Sequence, residues 1–269
     1  MERKDGIRRN FKYDWQEVAR CNPDYRAHVE SEKARLGGNH PLFMTQYRLL
    51  PVHGGGRFFS PQQRAQMQGS HSRRRQPQAG KVYIAGIDLA GEAEKESCFT
   101  MARQRRDSTV VTIGEADIPA DDVLDMVVVK IVEHYRWAGV KHTDLYPRLV
   151  DILKRVWRCR KIVVDASGVG QSVASFLRKA LGSRLIPFTF TSSSKSELGF
   201  NLLSAVNAGR LKVYKGDGSA EYRDFWLEME RAKSVYRPNQ TMTFYVDPSE
   251  GHDDFLMSLA LAVEAADRY

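Results

Sequence analysis

From Lys81 to Leu89 the chain reads Lys-Val-Tyr-Ile-Ala-Gly-Ile-Asp-Leu, apolar almost throughout, with an acid near its end at Asp88. A run of this length predicts a buried strand that delivers a carboxylate to its C-terminal edge. Residues 161–165 repeat the pattern, ending on Asp165 and followed by Ala166, Ser167 and Gly168. Segments 97–103 and 109–116 read as further strands, separated by the polar turn 104–108. Together with 81–89 they predict an antiparallel meander. Over 121–137, Val123, Met126, Val127, Ile131 and Tyr135 recur at helical spacing with acids in the first turn, which predicts a helix, and 146–156 predicts another. After the second buried strand the pattern alternates: helix 168–181, strand 184–190, helices 196–208 and 220–232. Arms 233–237 and 241–246 flank Pro238-Asn239-Gln240 as a hairpin, and a last helix covers 252–266. A meander followed by alternating elements implies an α/β fold, a central mixed sheet flanked by helices.

The first 80 residues lack that regularity. One helix is predicted near 14–36, with Asp14 as N-cap and Gly37-Gly38 as its stop. Residues 47–50 suit a short strand or docking segment, and 62–78 read as linker. No core of its own is expected here. The division therefore falls at 1–80, an irregular basic arm, and 81–269, the folded domain. Charge sharpens the division. Residues 1–80 hold 15 Lys and Arg against 7 Asp and Glu, whereas 81–269 hold 26 of each. The formal excess of +8 thus lies wholly in the first segment, which includes Arg73-Arg74-Arg75. A basic arm beside a neutral domain suggests a polyanionic partner. Cys21, Cys98 and Cys159 are too widely spaced for a disulfide framework or a zinc site, and no apolar run is long enough for a membrane span.

A third acidic stretch, His252-Asp253-Asp254, opens the last helix. If it converges with Asp88 and Asp165, the result is an all-oxygen pocket suited to Mg²⁺ or Mn²⁺. Two such ions about 3.5–4 Å apart activate water and relieve charge in phosphodiester cleavage. Asp253 and Asp254 diverge by roughly 100° around a helix, so one is expected as ligand and the other as a cap or outer partner. Asp254 is favoured as the ligand. His252 is a candidate ligand or proton donor, and Lys195, placed in a polar loop, is a candidate phosphate contact. Lys233 and Arg237 on the hairpin join the Arg73–Arg75 run as candidate DNA contacts.

The motifs Gly86-Ile87-Asp88-Leu89-Ala90-Gly91, Val164-Asp165-Ala166-Ser167-Gly168-Val169-Gly170 and Gly251-His252-Asp253-Asp254 resemble the C-terminal nuclease domain of the tailed-phage terminase large subunit. Residues 39–51 are similar to the stretch joining motor to nuclease in some of these proteins. The resemblance implies an RNase H-like fold and two-metal endonucleolytic cutting of concatemeric double-stranded DNA with little sequence preference. It maps the catalytic acids onto Asp88, Asp165 and Asp254, with Asp253 adjacent. It also implies a portal protein, a small terminase subunit and an ATPase motor as partners, and action in the cytoplasm of an infected or lysogenic bacterium. No P-loop motif is present, so the chain is expected to be a fragment or a prophage remnant rather than a complete motor. Two other enzyme readings stand beside this one: an RNase H-like resolvase or transposase, and an actin-like kinase suggested by Gly86–Gly91. A non-catalytic DNA- or portal-binding module is the non-enzyme alternative.

Overall fold

Alternation along one central strand organises the molecule. The computed structural model describes residues 13–50, 55–90, 108–118, 127–168, 170–237 and 241–268. Strand β2 (Val82–Asp88) sends Tyr83, Ala85 and Ile87 to one apolar cluster and Ile84 to another. This is the period-two geometry of a strand covered on both faces. Six strands form its sheet in the order β6-β5-β2-β3-β4-β7. These are β3 (Ser108–Asp117), β4 (Val128–Ala138), β5 (Lys161–Asp165), β6 (Leu185–Phe188) and β7 (Leu211–Val213). The meander β2-β3-β4 is antiparallel, while β5 joins β2, β6 joins β5 and β7 joins β4 in parallel. The expected mixed sheet is therefore present.

Helices α5 (His142–Val150) and α6 (Gly170–Leu181) cover one face, with a π-helical turn at Asp151–Val156 extending α5. The other face carries α7 (Ser192–Asn207), α8 (Ala220–Arg231) and α9 (Asp254–Asp267). Residues 254–266 of α9 are all buried, as the run Phe255–Val263, apolar at every position but Ser258, requires of a helix enclosed on every side. This helix lies directly on β2. A Cβ at Gly86 would sit 2.1 Å from the Ser258 carbonyl oxygen and 2.2 Å from the Ala262 nitrogen, so only glycine admits the approach. A buried hydrogen bond of 2.7 Å between Thr112 and Ser258 ties α9 to β3 as well.

Three expectations are corrected. The helix predicted at 121–137 is instead the third meander strand from Val128 onward; residues 119–126 lie outside the described residues. Val128, Val129, Ile131 and Val132 are β-branched and fill a pleated surface, which overrides the incidental helical spacing. The strand predicted at 97–103 also lies outside the described residues. Second, 1–80 is not wholly irregular. Helices α1 (Trp15–Cys21) and α2 (Pro23–Leu36) occupy the span predicted as one helix, divided at Asn22-Pro23, with Asp14 capping the first and Gly37 ending the second. Helix α3 (Pro41–Gln46) precedes the segment read as strand or docking element, and α4 (Pro61–Met67) begins what was read as linker.

Third, this segment has buried apolar residues: Val29, Leu36 and Phe43 form a small cluster, and Phe58, Phe59 and Met67 enter the main core. Ser204 donates to the Arg35 carbonyl at 2.6 Å and His40 meets the Phe200 carbonyl at 3.0 Å, which fastens α2 and α3 to α7. The hairpin forms as predicted, β8 (Lys233–Tyr236) with β9 (Met242–Tyr245). It belongs to a separate sheet completed by β1 (Gly55–Arg57).

Candidate active site

Parallel pairing brings two acids to one sheet edge. Ile87 pairs with Val164, and the next residue on each strand is an aspartate, Asp88 on β2 and Asp165 on β5. The third acid comes from above. Because α9 packs on β2, its first residue, Asp254, reaches the same edge, where it is buried and accepts the Ser108 N–H at 3.0 Å. Asp253 occupies the N-cap position of α9, but its side chain makes no capping hydrogen bond. Glu228 of α8 takes that role, one oxygen accepting from Phe255 N–H at 2.8 Å and Leu256 N–H at 3.0 Å. Of the two roles expected for the acid of the pair not used as ligand, cap or outer partner, the cap is thus supplied by another helix.

Charge accumulates at this edge. The Asp88 carboxyl is pushed well above the usual range, first by burial and then by Asp254, Asp165, Asp253 and Glu228. Burial also raises Asp165, against hydrogen bonds from Ser167 and the positive field of Lys195. The Ser167 N–H donates to Asp165 at 2.8 Å. Glu228 is pushed up to about 9, again by burial first, with Asp254 and Asp253 adding to it against the two backbone donors. Among the described residues, no three His, Cys, Asp or Glu side chains close into a cage able to hold an ion alone. The donor set nonetheless fits Mg²⁺ or Mn²⁺, which take hard oxygens, keep waters and rely on few protein carboxylates plus substrate phosphate. A partly buried acid cluster with a raised Asp88 is the electrostatic setting that a divalent cation relieves.

This order of elements, with acids at two neighbouring strand ends and at a helix start, agrees with what residues 86–266 match: the terminase RNaseH-like domain. The chain belongs to that family. The large terminase nuclease from thermophilic phage G20c, solved with bound magnesium, is 20% identical, with a TM-score of 0.54 over 80% of this chain and 98% of that one. The large terminase nuclease domain of Thermus phage P74-26 is 19% identical at TM-score 0.52, over 77% of this chain and 94% of that one. The HK97 bacteriophage large terminase is 15% identical at TM-score 0.53, over 91% of this chain but 50% of that one. No curated protein matches the sequence. The RNase H-like fold expected from the motifs is borne out, and the actin-like reading falls away.

The remaining candidates of this terminase domain are placed variously. Lys195 is not in a loop. It stands in the first turn of α7, because Thr191 and Ser194 form a capping box that starts the helix at Ser192. Its ammonium lies 5.8 Å from the Phe190 ring centre and 5.5 Å from that of Phe244, still close enough to act on Asp165. His252 is partly buried in the loop before α9. The Arg73–Arg75 run is not one free basic patch. Arg73 pairs with buried Glu133, with Asp217 at 3.2 Å and with Glu221 at 3.3 Å, and Arg74 pairs with buried Glu115. Arg75 is exposed. Lys233 pairs with Glu250 at 3.0 Å and Asp247 at 3.6 Å, whereas Arg237 is exposed at the hairpin end.

Glu228 is the residue that reading the sequence missed. The signal was there: it falls three residues after Phe225 and one before Met229, an acid on the buried stripe of α8. Among the described residues, no helix is long and apolar enough to cross a membrane.

Proposed function

We propose that this terminase domain is a metal-dependent endonuclease acting on double-stranded DNA during phage genome packaging, with little sequence preference. The observation that carries the reading is the convergence of Asp88, Asp165, Asp253 and Asp254 on one partly buried, acidic sheet edge. Asp88, Asp165 and Asp254 are the proposed ligands of two Mg²⁺ or Mn²⁺ ions, and Asp253 lies beside them. When bound, the ions would supply an activated water and charge relief on the phosphate.

The protein's own part is positional. Strands β2 and β5 fix two carboxylates side by side, and the Ser167 N–H sets the orientation of Asp165. The Ser108 N–H does the same for Asp254. Lys195, held by two aromatic rings near Asp165, is the proposed phosphate contact, and His252 is a proposed proton donor to the leaving oxygen. Arg75 and Arg237, exposed, are the proposed backbone contacts along the DNA. By the same kinship the proposed partners are an ATPase motor, a portal protein and a small terminase subunit, in the cytoplasm of a bacterial host.

The test is incubation of purified protein with supercoiled plasmid and Mn²⁺, with and without EDTA. Linearisation and smearing that EDTA stops and Asp88→Ala abolishes is the expected result. Cutting that survives Asp88→Ala would sink the site assignment.

A further inference from the structure

A helix beginning Asp253-Asp254 would ordinarily spend the first acid on its own cap. An aspartate at the N-cap accepts the N–H of the second or third helical residue, because those donors have no partner within the helix. Here those donors are Phe255 and Leu256, and both are taken by the Glu228 carboxylate from α8, at 2.8 and 3.0 Å. The Asp253 backbone stands at φ −119°, ψ 19°, and its side chain makes no capping bond. Glu228 is itself held firmly. Phe225 and Met229 on the same face of α8 are fully buried, and the Phe225 ring meets the Phe255 ring edge-on at 6.3 Å.

From this geometry, and resting on the metal-site reading above, we infer that Glu228 is a positioning residue for the active site. By capping α9 from a neighbouring helix it fixes the direction in which Asp254 points and leaves the Asp253 carboxylate outside the helix's own hydrogen bonding. The bonds that set Asp254 come from two sides, the Ser108 N–H on its carboxylate and Glu228 on the two backbone groups that follow it. Metal affinity therefore depends on an acceptor at position 228 rather than on its charge.

The experiment measures Mn²⁺ binding to the full chain by titration calorimetry, with melting temperature recorded in parallel. Glu228→Met keeps the volume and removes the acceptor; Glu228→Gln keeps an acceptor oxygen and removes the ionisable group. Glu228→Met is expected to weaken Mn²⁺ binding by roughly tenfold or more, the usual effect of losing a residue that orients a ligand, and Glu228→Gln to restore most of it. Ser258→Ala, which breaks the bond to Thr112 a turn further along α9, serves as the control: it should lower melting temperature without weakening Mn²⁺. Unchanged affinity in Glu228→Met overturns the inference. So does equal loss in Glu228→Gln, which would make Glu228 a ligand. A wild-type chain that binds no Mn²⁺ overturns the metal-site reading itself, a distinguishable failure.

Discussion

Gly86→Ala is the sharpest perturbation available, because one methyl group tests both the fold and the site. The added Cβ would lie 2.1 Å from the Ser258 oxygen, 2.2 Å from the Ala262 nitrogen and 2.7 Å from the Leu261 carbonyl carbon. All three are backbone atoms of α9, so no rotamer change relieves the contact. Carbon contacts under 3.0 Å are essentially never sustained, and α9 must therefore retreat from β2 by about an ångström. Overpacking of this kind costs about 1–3 kcal/mol, and a rigid backbone neighbour places it at the upper end. For a domain of this size each kcal/mol lowers the melting temperature by roughly 2–4 °C. The retreat also carries Asp254 away from Asp88, and a misplacement of about 1 Å can cost around a hundredfold in rate. Thermal unfolding and Mn²⁺-dependent plasmid cutting read the two effects. Gly56→Ala, where an added Cβ meets nothing within 4 Å, is the matched control. If Gly86→Ala melted and cut like the control, α9 would not be seated on β2 as described, and the convergence of the acids would lose its structural basis.

Three further outcomes are expected. Asp88→Asn should raise the melting temperature in metal-free buffer by removing an ionisable carboxyl crowded by Asp254 and Asp165. It should also abolish the rise of about 2.7 kcal/mol that Mn²⁺ at a hundred times its Kd would give the wild type, readable by calorimetry. Arg73→Ala should destabilise by roughly 3 kcal/mol in urea unfolding, because it strands the buried Glu133 carboxylate. A loss below about 0.5 kcal/mol would restore Arg73 to the surface and to DNA. His134 is fully buried, and burial holds its imidazole down at about 3. Its folded value lies below its unfolded one, so the unfolded chain takes up the proton first. Stability should then fall as pH drops below about 6.5, by roughly 1.4 kcal/mol per pH unit until about pH 3. His134→Phe should flatten that part of the pH profile relative to wild type; parallel profiles would refute the assignment.

The strands that carry Asp88 and Asp165 were legible because a strand covered on both faces must be apolar throughout, and that condition is written into consecutive residues. The start of α9 was legible for a similar reason: a polar acid pair followed by a run apolar at all but one position has few places to go. Strand β4 was not. Its inward and outward positions happen to satisfy a helical template, and only the sheet partner β3 decides between the two. Residues 1–80 misled in a related way. Phe58, Phe59 and Met67 are too few to announce a core, and they are buried only because α7, α8 and the hairpin supply the rest of it. Local pattern reports the face an element presents, not the element that will cover it.

The same limit governs charge, and there it bears on function. Dividing the sequence at residue 80 assigned the basic excess to an arm, and Arg73 and Arg74 to DNA. In the fold both arginines neutralise acids of the sheet, Glu133 and Glu115, which the division had counted with the neutral domain. Segment charge is therefore not surface charge: a basic run and a buried acid far along the chain cancel once folding brings them together. Glu228 makes the complementary case. Counted by sequence it is one more exposed-type acid on a helix; in place it satisfies the donors that Asp253 would otherwise take. Each of these pairings determines which charges remain to meet metal or DNA, and each joins residues between 27 and 60 positions apart. An acid site of this kind is announced by its strand ends but completed by partners that only the three-dimensional fold selects.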